Sequence, residues 1–239
     1  MSLPVLIVGD VHGDLERLFS ALRPYPATEW RTVFLGDLVD GGPFGVGALR
    51  YARDRPNSTV LLGNHEVAML WALRDRSRIG FWVGIGGQPH DLQELQRDPP
   101  LQAWLRGLPA LARLEDGTLL QHCDNDNYAD LIRDQDREPA EEVNRMTRVL
   151  LGEDREDVLW EAMSPYGVFR RQPQRLDAWL RRMGARRVVH GHSRHRARQP
   201  EAYHGGKAIC YDGGLSRYYG GHHLRGRGAA GATVAPLPD

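Results

Sequence analysis

Six short apolar runs punctuate the chain: PVLIVGD at 4–10, TVFLGD at 32–37, TVLLGN at 59–64, TLLQH at 118–122, RRVVHGH at 186–192 and KAICYD at 207–212. They are continuous rather than alternating and rich in aliphatic residues, which predicts strands buried on both faces. Between the first three, apolar positions recur at helical spacing. Residues 14–23, DLERLFSALR, open with Asp14 as an N-cap, and 44–54 and 65–77 follow the same period. Strand and helix in alternation predict a parallel sheet built from βαβ units.

The middle of the chain reads differently. Residues 67–116 and 124–184 are mostly helical in pattern. One helix is expected from Pro139, suited to the first helical position, to Gly152 at its C-cap, and another over 174–183 stops at Gly184. These stretches interrupt the strand series and read as insertions that build a helical cap on one domain spanning 1–239. The tail after Gly220 is rich in Gly, Ala and Pro and is expected to be irregular.

Composition narrows the setting. With 41% apolar residues, the chain of 239 can bury an ordinary core. A formal net charge of zero excludes a whole-protein basic field for a nucleic-acid polymer or an acidic membrane. Cys123 and Cys210 lack zinc-ligand spacing and cannot make a disulfide framework, so a reducing, cytoplasmic setting is expected. MSLPVLIVGD reads as a first strand, and no run approaches the ~20 apolar residues of a membrane span.

The chemistry sits at the strand ends. Asp10 and His12 follow the first run, Asp37 the second, Asn64 the third, His122 the fourth and His192 the fifth. In an open parallel sheet, ligands bind beyond the carboxyl ends of the strands, so five strands deliver donors to one rim. Gly9, Gly36, Gly63 and Gly191 beside them are expected to let the backbone turn next to a crowded site. Asp, His and Asn without Cys suit Mn, Fe, Zn or Mg, with Mn favoured. Six such donors are too many for one catalytic ion and suit two ions sharing a carboxylate, ~3.5–4 Å apart, with a bridging hydroxide as nucleophile.

Taken in order, GDVHG at 9–13, GDLVDGG at 36–42, GNHE at 63–66, LLQHCDND around His122 and VVHGH at 188–192 resemble the calcineurin-like metallophosphoesterases. The nearest likeness is to the phosphoprotein phosphatase branch and its bacterial relatives, which include diadenosine tetraphosphate hydrolases. AICYDGGLSRYYGG resembles their late strand and glycine-rich turn. The resemblance implies an α/β fold, a β-sandwich flanked by helices with KAICYD in the second sheet. It implies Asp10, His12 and Asp37 on one metal, and Asp37, Asn64, His122 and His192 on the other, with Asp37 bridging. It also implies that His65 protonates the leaving oxygen and that Asp40 orients His65.

The departures lie in the phosphate clamp. The branch carries arginine at the positions of Gly41, Leu62 and Ala162. Arg170 and Arg171, shortly after Trp160, are the candidate replacements for that bidentate contact. His195 is out of register with a further metal ligand and reads as a surface residue. Asp124, Asn125 and Asp126 can either support His122 or form a polar turn. Cys123 reads as a small buried residue, Trp71, Phe81 and Trp82 as core, and His222 and His223 as solvent-facing. The expected function is metal-dependent hydrolysis of a phosphomonoester. The rival enzyme reading is a nucleoside polyphosphate or dinucleotide hydrolase, and the rival from another class is a metal-binding regulator. The expected partners are a phosphorylated small molecule, a nucleotide or a phosphopeptide, with no membrane.

Overall fold

The computed structural model describes residues 3–218 and 230–238. Its strands are β1 (Val5–Val8), β2 (Arg31–Phe34), β3 (Ser58–Val60), β4 (Leu111–Arg113), β5 (Thr118–Gln121), β6 (Arg187–His190), β7 (Glu201–Tyr203), β8 (Ala208–Cys210) and β9 (Val234–Pro236). All six predicted runs contain a strand, but they divide between two sheets. One has the order β3-β2-β1-β9, with β1, β2 and β3 parallel and β9 antiparallel on β1. The other has the order β4-β5-β6-β8-β7, with β5, β6 and β8 parallel and antiparallel strands at both edges.

The two-faced burial of the strands has a direct cause. On β1, Ile7 joins Val33, Leu35, Leu61, Leu120, Val189 and Ile209 in the layer between the sheets. Its neighbours Leu6 and Val8 belong to the larger core, which continues into the helices. Successive side chains of a strand point to opposite faces, so both faces must be apolar. Each fully buried Leu, Ile or Val contributes ~1.5–3 kcal/mol.

The helices are α1 (Leu15–Leu22), α2 (Gly45–Asp54), α3 (Asn64–Arg74), α4 (Ile79–Gly84), α5 (Pro89–Gln96), α6 (Pro99–Arg106), α7 (Pro139–Gly152), α8 (Glu156–Met163), α9 (Val168–Arg171), α10 (Pro173–Met183) and α11 (Ala230–Thr233). Asp14 caps α1, accepting the Arg17 N–H at 3.2 Å. Gly184 ends α10 in the left-handed region, φ 58°. Gly152 is the last residue of α7 rather than its cap, and Glu153 N–H closes the turn on Val149 and Leu150. The stretch 67–116, expected to be helical, also contains β4, an edge strand paired with β5.

The C-terminal expectation needs correcting. Residues 230–236 form α11 and β9, and β9 covers the free edge of β1, with Ile7 opposite Ala235. Backbone pairing on an exposed edge gives order to a stretch whose composition signals none. Residues 219–229, including His222 and His223, lie outside the described residues. No helix among the described residues is long and apolar enough to cross a membrane.

Candidate functional site

Hydrogen bonds tie the strand-end loops of both sheets to one point. His192 N–H donates to both Asp10 oxygens, at 2.9 and 3.1 Å, joining the loop after β6 to that after β1. Gly191 N–H donates to His122 O at 2.9 Å. His122 Nδ1 lies 2.9 Å from Leu35 O, linking the end of β5 to that of β2. His65 N–H donates to Asp37 Oδ1 at 3.0 Å, which seats the start of α3. Among the four glycines flanking the ligands, only Gly36 takes a positive φ, 102°. The others are needed for close approach: a Cβ on Gly191 would collide with Asp10 Oδ1.

All six predicted metal-ligand candidates are buried or nearly so, and they gather around Asp37. Two trios have donor atoms within 4.8 Å of one another: His12, Asp37 and His65, and Asp37, His122 and His192. Asp37 belongs to both. Asp10 Oδ2 is 3.8 Å from His12 Nε2, and Asn64 Oδ1 is 2.9 Å from His122 Nε2. His12, Asp37, Asp40 and His192 all hold positive φ, at 46°, 52°, 65° and 61°. Such backbone costs ~1–3 kcal/mol per residue and persists where the surroundings over-determine it, as they do at functional sites.

The imidazoles are oriented as metal ligands are. His12 Nδ1 faces Val39 O at 3.2 Å, His122 Nδ1 faces Leu35 O, and His192 Nε2 faces Ser164 O at 3.0 Å. One nitrogen of each ring thus donates to a backbone carbonyl, and the other turns toward the cluster. His122 Nε2 then meets Asp37 Oδ2 at 3.2 Å and Asn64 Oδ1 at 2.9 Å. Burial would lower the His122 pKa, but Asp37 outweighs it and raises it, so a proton on Nε2 bridges these oxygens without metal, and a divalent cation would take its place. Burial, with repulsion from His65, pushes His12 down to about 3. Burial, with repulsion from His122, pushes His192 down to about 4. Both rings are therefore neutral, as ligands must be. Burial raises the Asp10 carboxyl well above its usual range, and the nearby Asp212 and Asp37 add to this. A buried carboxylate cluster with neutral imidazoles fits divalent cations.

His65, a member of the first trio, also forms a proton-carrying pair with Asp40. His65 Nδ1 is 2.8 Å from Asp40 Oδ2, and the other Asp40 oxygen accepts from Trp82 Nε1 at 2.9 Å. Burial alone would lower the His65 pKa, but Asp37 and then Asp40 outweigh it and raise it to about 9. Burial raises Asp40 to about 6, against the pull of His65 and Trp82.

Two supporting residues escaped the sequence reading. Glu66, fully buried on α3, accepts from the backbone N–H groups of Asp37 at 2.8 Å, Leu38 at 2.7 Å, Val39 at 3.3 Å and Gly63 at 2.9 Å. It pins the loop after β2 to the loop before α3. Its place in GNHE was the available signal. Trp82, read as core, is core and also holds Asp40; nothing in its local sequence announces that bond.

Other candidates sit elsewhere. Arg170 is bidentate on Glu201, at 3.1 and 2.9 Å, and its guanidinium lies 4.6 Å over the Tyr203 ring. Arg171 donates to Tyr166 O at 2.7 Å. Neither bonds to a residue of the two trios, and the short α9 turns Arg170 toward β7. His195 is buried, not superficial, with Nε2 3.1 Å from Cys210 O. Asp124 accepts from Ser193 Oγ at 2.6 Å and Gly167 N at 2.7 Å, bracing the His192 loop rather than His122 itself. Cys123 is buried beside the Tyr128 hydroxyl, at 3.2 Å, and burial raises its thiol pKa.

A sandwich that gathers buried Asp, His and Asn donors of both sheets around Asp37 fits a metallohydrolase scaffold. The family model of calcineurin-like phosphoesterases matches residues 3–196, and the chain belongs to that family, whose members are metal-dependent phosphoesterases. Over 115 residues it is 34% identical to a symmetrical bis(5'-nucleosyl)-tetraphosphatase of Methylococcus capsulatus, covering 46% of this chain and 40% of that protein. It is 30% identical over 160 residues to the same-named protein of Aromatoleum aromaticum, covering 64% of this chain and 53% of that one. The chain thus spans about half the length of these relatives. Among solved structures, a cold-active protein-tyrosine phosphatase of a psychrophilic Shewanella shares the fold, with a TM-score of 0.64 and 18% identity over 90% of this chain and 72% of that one.

Proposed function

We propose that this protein hydrolyses nucleoside polyphosphates, with dinucleoside tetraphosphates as the leading substrate class. The observation that carries the reading is the similarity, at 30–34% identity, to relatives named symmetrical bis(5'-nucleosyl)-tetraphosphatases. It displaces the phosphomonoester as first choice and keeps the same chemistry. Two divalent cations, Mn, Fe, Zn or Mg, would be held by Asp10, His12 and Asp37 on one side and Asp37, Asn64, His122 and His192 on the other. When bound, such a pair supplies Lewis acidity to phosphoryl oxygens and activates water.

The protein's own groups do the rest. The three imidazoles are held in their ligating tautomers by backbone carbonyls, so the centre is preorganised. A P–O bond to the water oxygen forms, with loss of the water's proton to solvent, as the bond to the leaving phosphate oxygen breaks. His65 Nε2 gives that oxygen its proton, while Asp40 holds Nδ1 and stabilises the charged ring beforehand. The retained His65–Asp40 pair also weighs against a metal-binding regulator, which needs no leaving-group acid.

The test is product analysis. With Mn, diadenosine tetraphosphate should yield two ADP per turnover, at a higher kcat/KM than p-nitrophenyl phosphate. A preference for the phosphomonoester would restore the first reading. Turnover of neither by protein shown to hold metal would leave the regulator.

A further inference from the structure

The loop that brings His192 also carries Arg194, a half-buried guanidinium two residues further on. Its neighbours are fixed. Ser193 Oγ donates to Asp124, and His195 donates its N–H to Asp212 O at 3.0 Å and packs its ring against Cys210 O. The Arg194 side chain lies flat on Gly214. A Cβ there would collide with Nε and sit 2.7 Å from Nη2. Gly214 also holds φ +68°, a backbone that favours glycine, and a side chain there would displace the Arg194 guanidinium.

This seat is a wall of the metal cleft. The segment runs from Asp212, whose charge bears on Asp10 and Asp37, to Ser216, whose hydroxyl donates to His12 O at 3.1 Å. Arg194 lies between them. Among the described residues it makes no hydrogen bond and no ion pair, although the buried Asp212 carboxylate nearby has an oxygen, Oδ2, without a hydrogen-bond partner. Burial raises the Asp212 carboxyl and the Arg194 charge acts against this, but no hydrogen bond or ion pair joins the two, so the guanidinium fork stays open to a further acceptor.

We infer that Arg194 binds a phosphate of the substrate next to the one being cleaved. The reacting phosphate has the metals to neutralise it, whereas its neighbour in a polyphosphate chain needs a cation outside the metal pair. A fork-shaped donor seated on Gly214, in the segment whose Ser216 bonds to His12 O, supplies it. Arg194 is thus a specificity-determining residue that favours chains of phosphates over a single one. The inference rests on the polyphosphate reading, but its test does not need a dinucleotide to be cleaved.

The test compares ADP and orthophosphate as competitive inhibitors of p-nitrophenyl phosphate hydrolysis by the Mn-loaded enzyme. Arg194→Ala should raise the ADP inhibition constant ~10-fold or more, the worth of a charge-assisted contact, and that of orthophosphate by less than about twofold. Arg194→Gln keeps much of the contact with Gly214 and should give the same split if the alanine variant folds poorly. Unchanged constants, or equal losses for both inhibitors, would overturn the inference. Failure of the wild type to cleave diadenosine tetraphosphate would count against the proposed substrate alone.

Discussion

At the scale of the residue, the site is a set of orientation problems solved one atom at a time. His65 shows the logic best. Its Nδ1 meets Asp40, Asp40 also accepts from Trp82, and Nε2 lies 3.9 Å from Asp37 Oδ2. Burial works against a charged ring, and Asp37 and Asp40 together reverse it, raising the pKa to about 9. With cations on Asp37 its pull is offset, and Asp40 at 2.8 Å is the partner that keeps the charged ring favoured as a proton donor. His65→Asn is expected to retain metal and lower turnover ~10²–10⁴-fold, the usual worth of a general acid. The loss should be largest for poor leaving groups. A variant whose rate constant is unchanged with a poor leaving group would remove His65 from the reaction. The convergence of the candidate ligands and the His65–Asp40 contact were legible because their motifs sit at strand ends. Arg170 pairs with Glu201 instead of a residue of the trios, because proximity in sequence to Trp160 does not show which way a four-residue helix turns its side chains. Arg194 was in plain view in the sequence, but only Gly214, twenty residues later, gives it a seat.

At the scale of the element, the helices hold the loops that carry ligands. Asp14 is the clearest junction. It caps α1 through Arg17 N–H, and it accepts from the backbone and guanidinium of Arg217, at 3.0, 3.1 and 3.2 Å. It therefore ties the loop of His12 to the late glycine-rich turn. Burial would raise the Asp14 pKa, but the Arg217 and Arg17 bonds outweigh it and lower it. A depressed carboxyl stabilises the fold above its unfolded pKa of ~3.9 and loses that contribution as pH falls through the lower folded value. Asp14→Ala should thus cost ~1–2 kcal/mol in urea denaturation at pH 7, as lost caps do. The gap between variant and wild type should narrow as the pH drops below ~4. A gap of constant size across that range would show that the carboxylate charge contributes nothing. The strands were legible because burial on both faces leaves an unbroken apolar run. Pairings were less so: β4 and β9 are three-residue edge strands, defined by a neighbour's open hydrogen bonds rather than by their own pattern.

At the scale of the whole molecule, two sheets back to back solve a problem that one sheet cannot. A single parallel sheet spreads its strand ends along a line. Here β1, β2 and β3 in one sheet and β5 and β6 in the other point their carboxyl ends at the same rim. The bonds of His192 N–H to Asp10 and of His122 Nδ1 to Leu35 O span the seam between the sheets. Residues as far apart as 10 and 192 thereby come to share one centre. The periodicity of the chain gave the strands, and the resemblance of its motifs gave the sandwich; nothing in local pattern says which strands pair. The central claim is that this rim holds two cations joined by Asp37. It is tested most directly by titrating metal-free protein with Mn and following electron paramagnetic resonance. Two ions should bind per chain with an exchange-coupled signal, and Asp37→Asn should abolish the coupling. A single ion per chain, or two ions whose signals are independent in the wild type, would contradict the account.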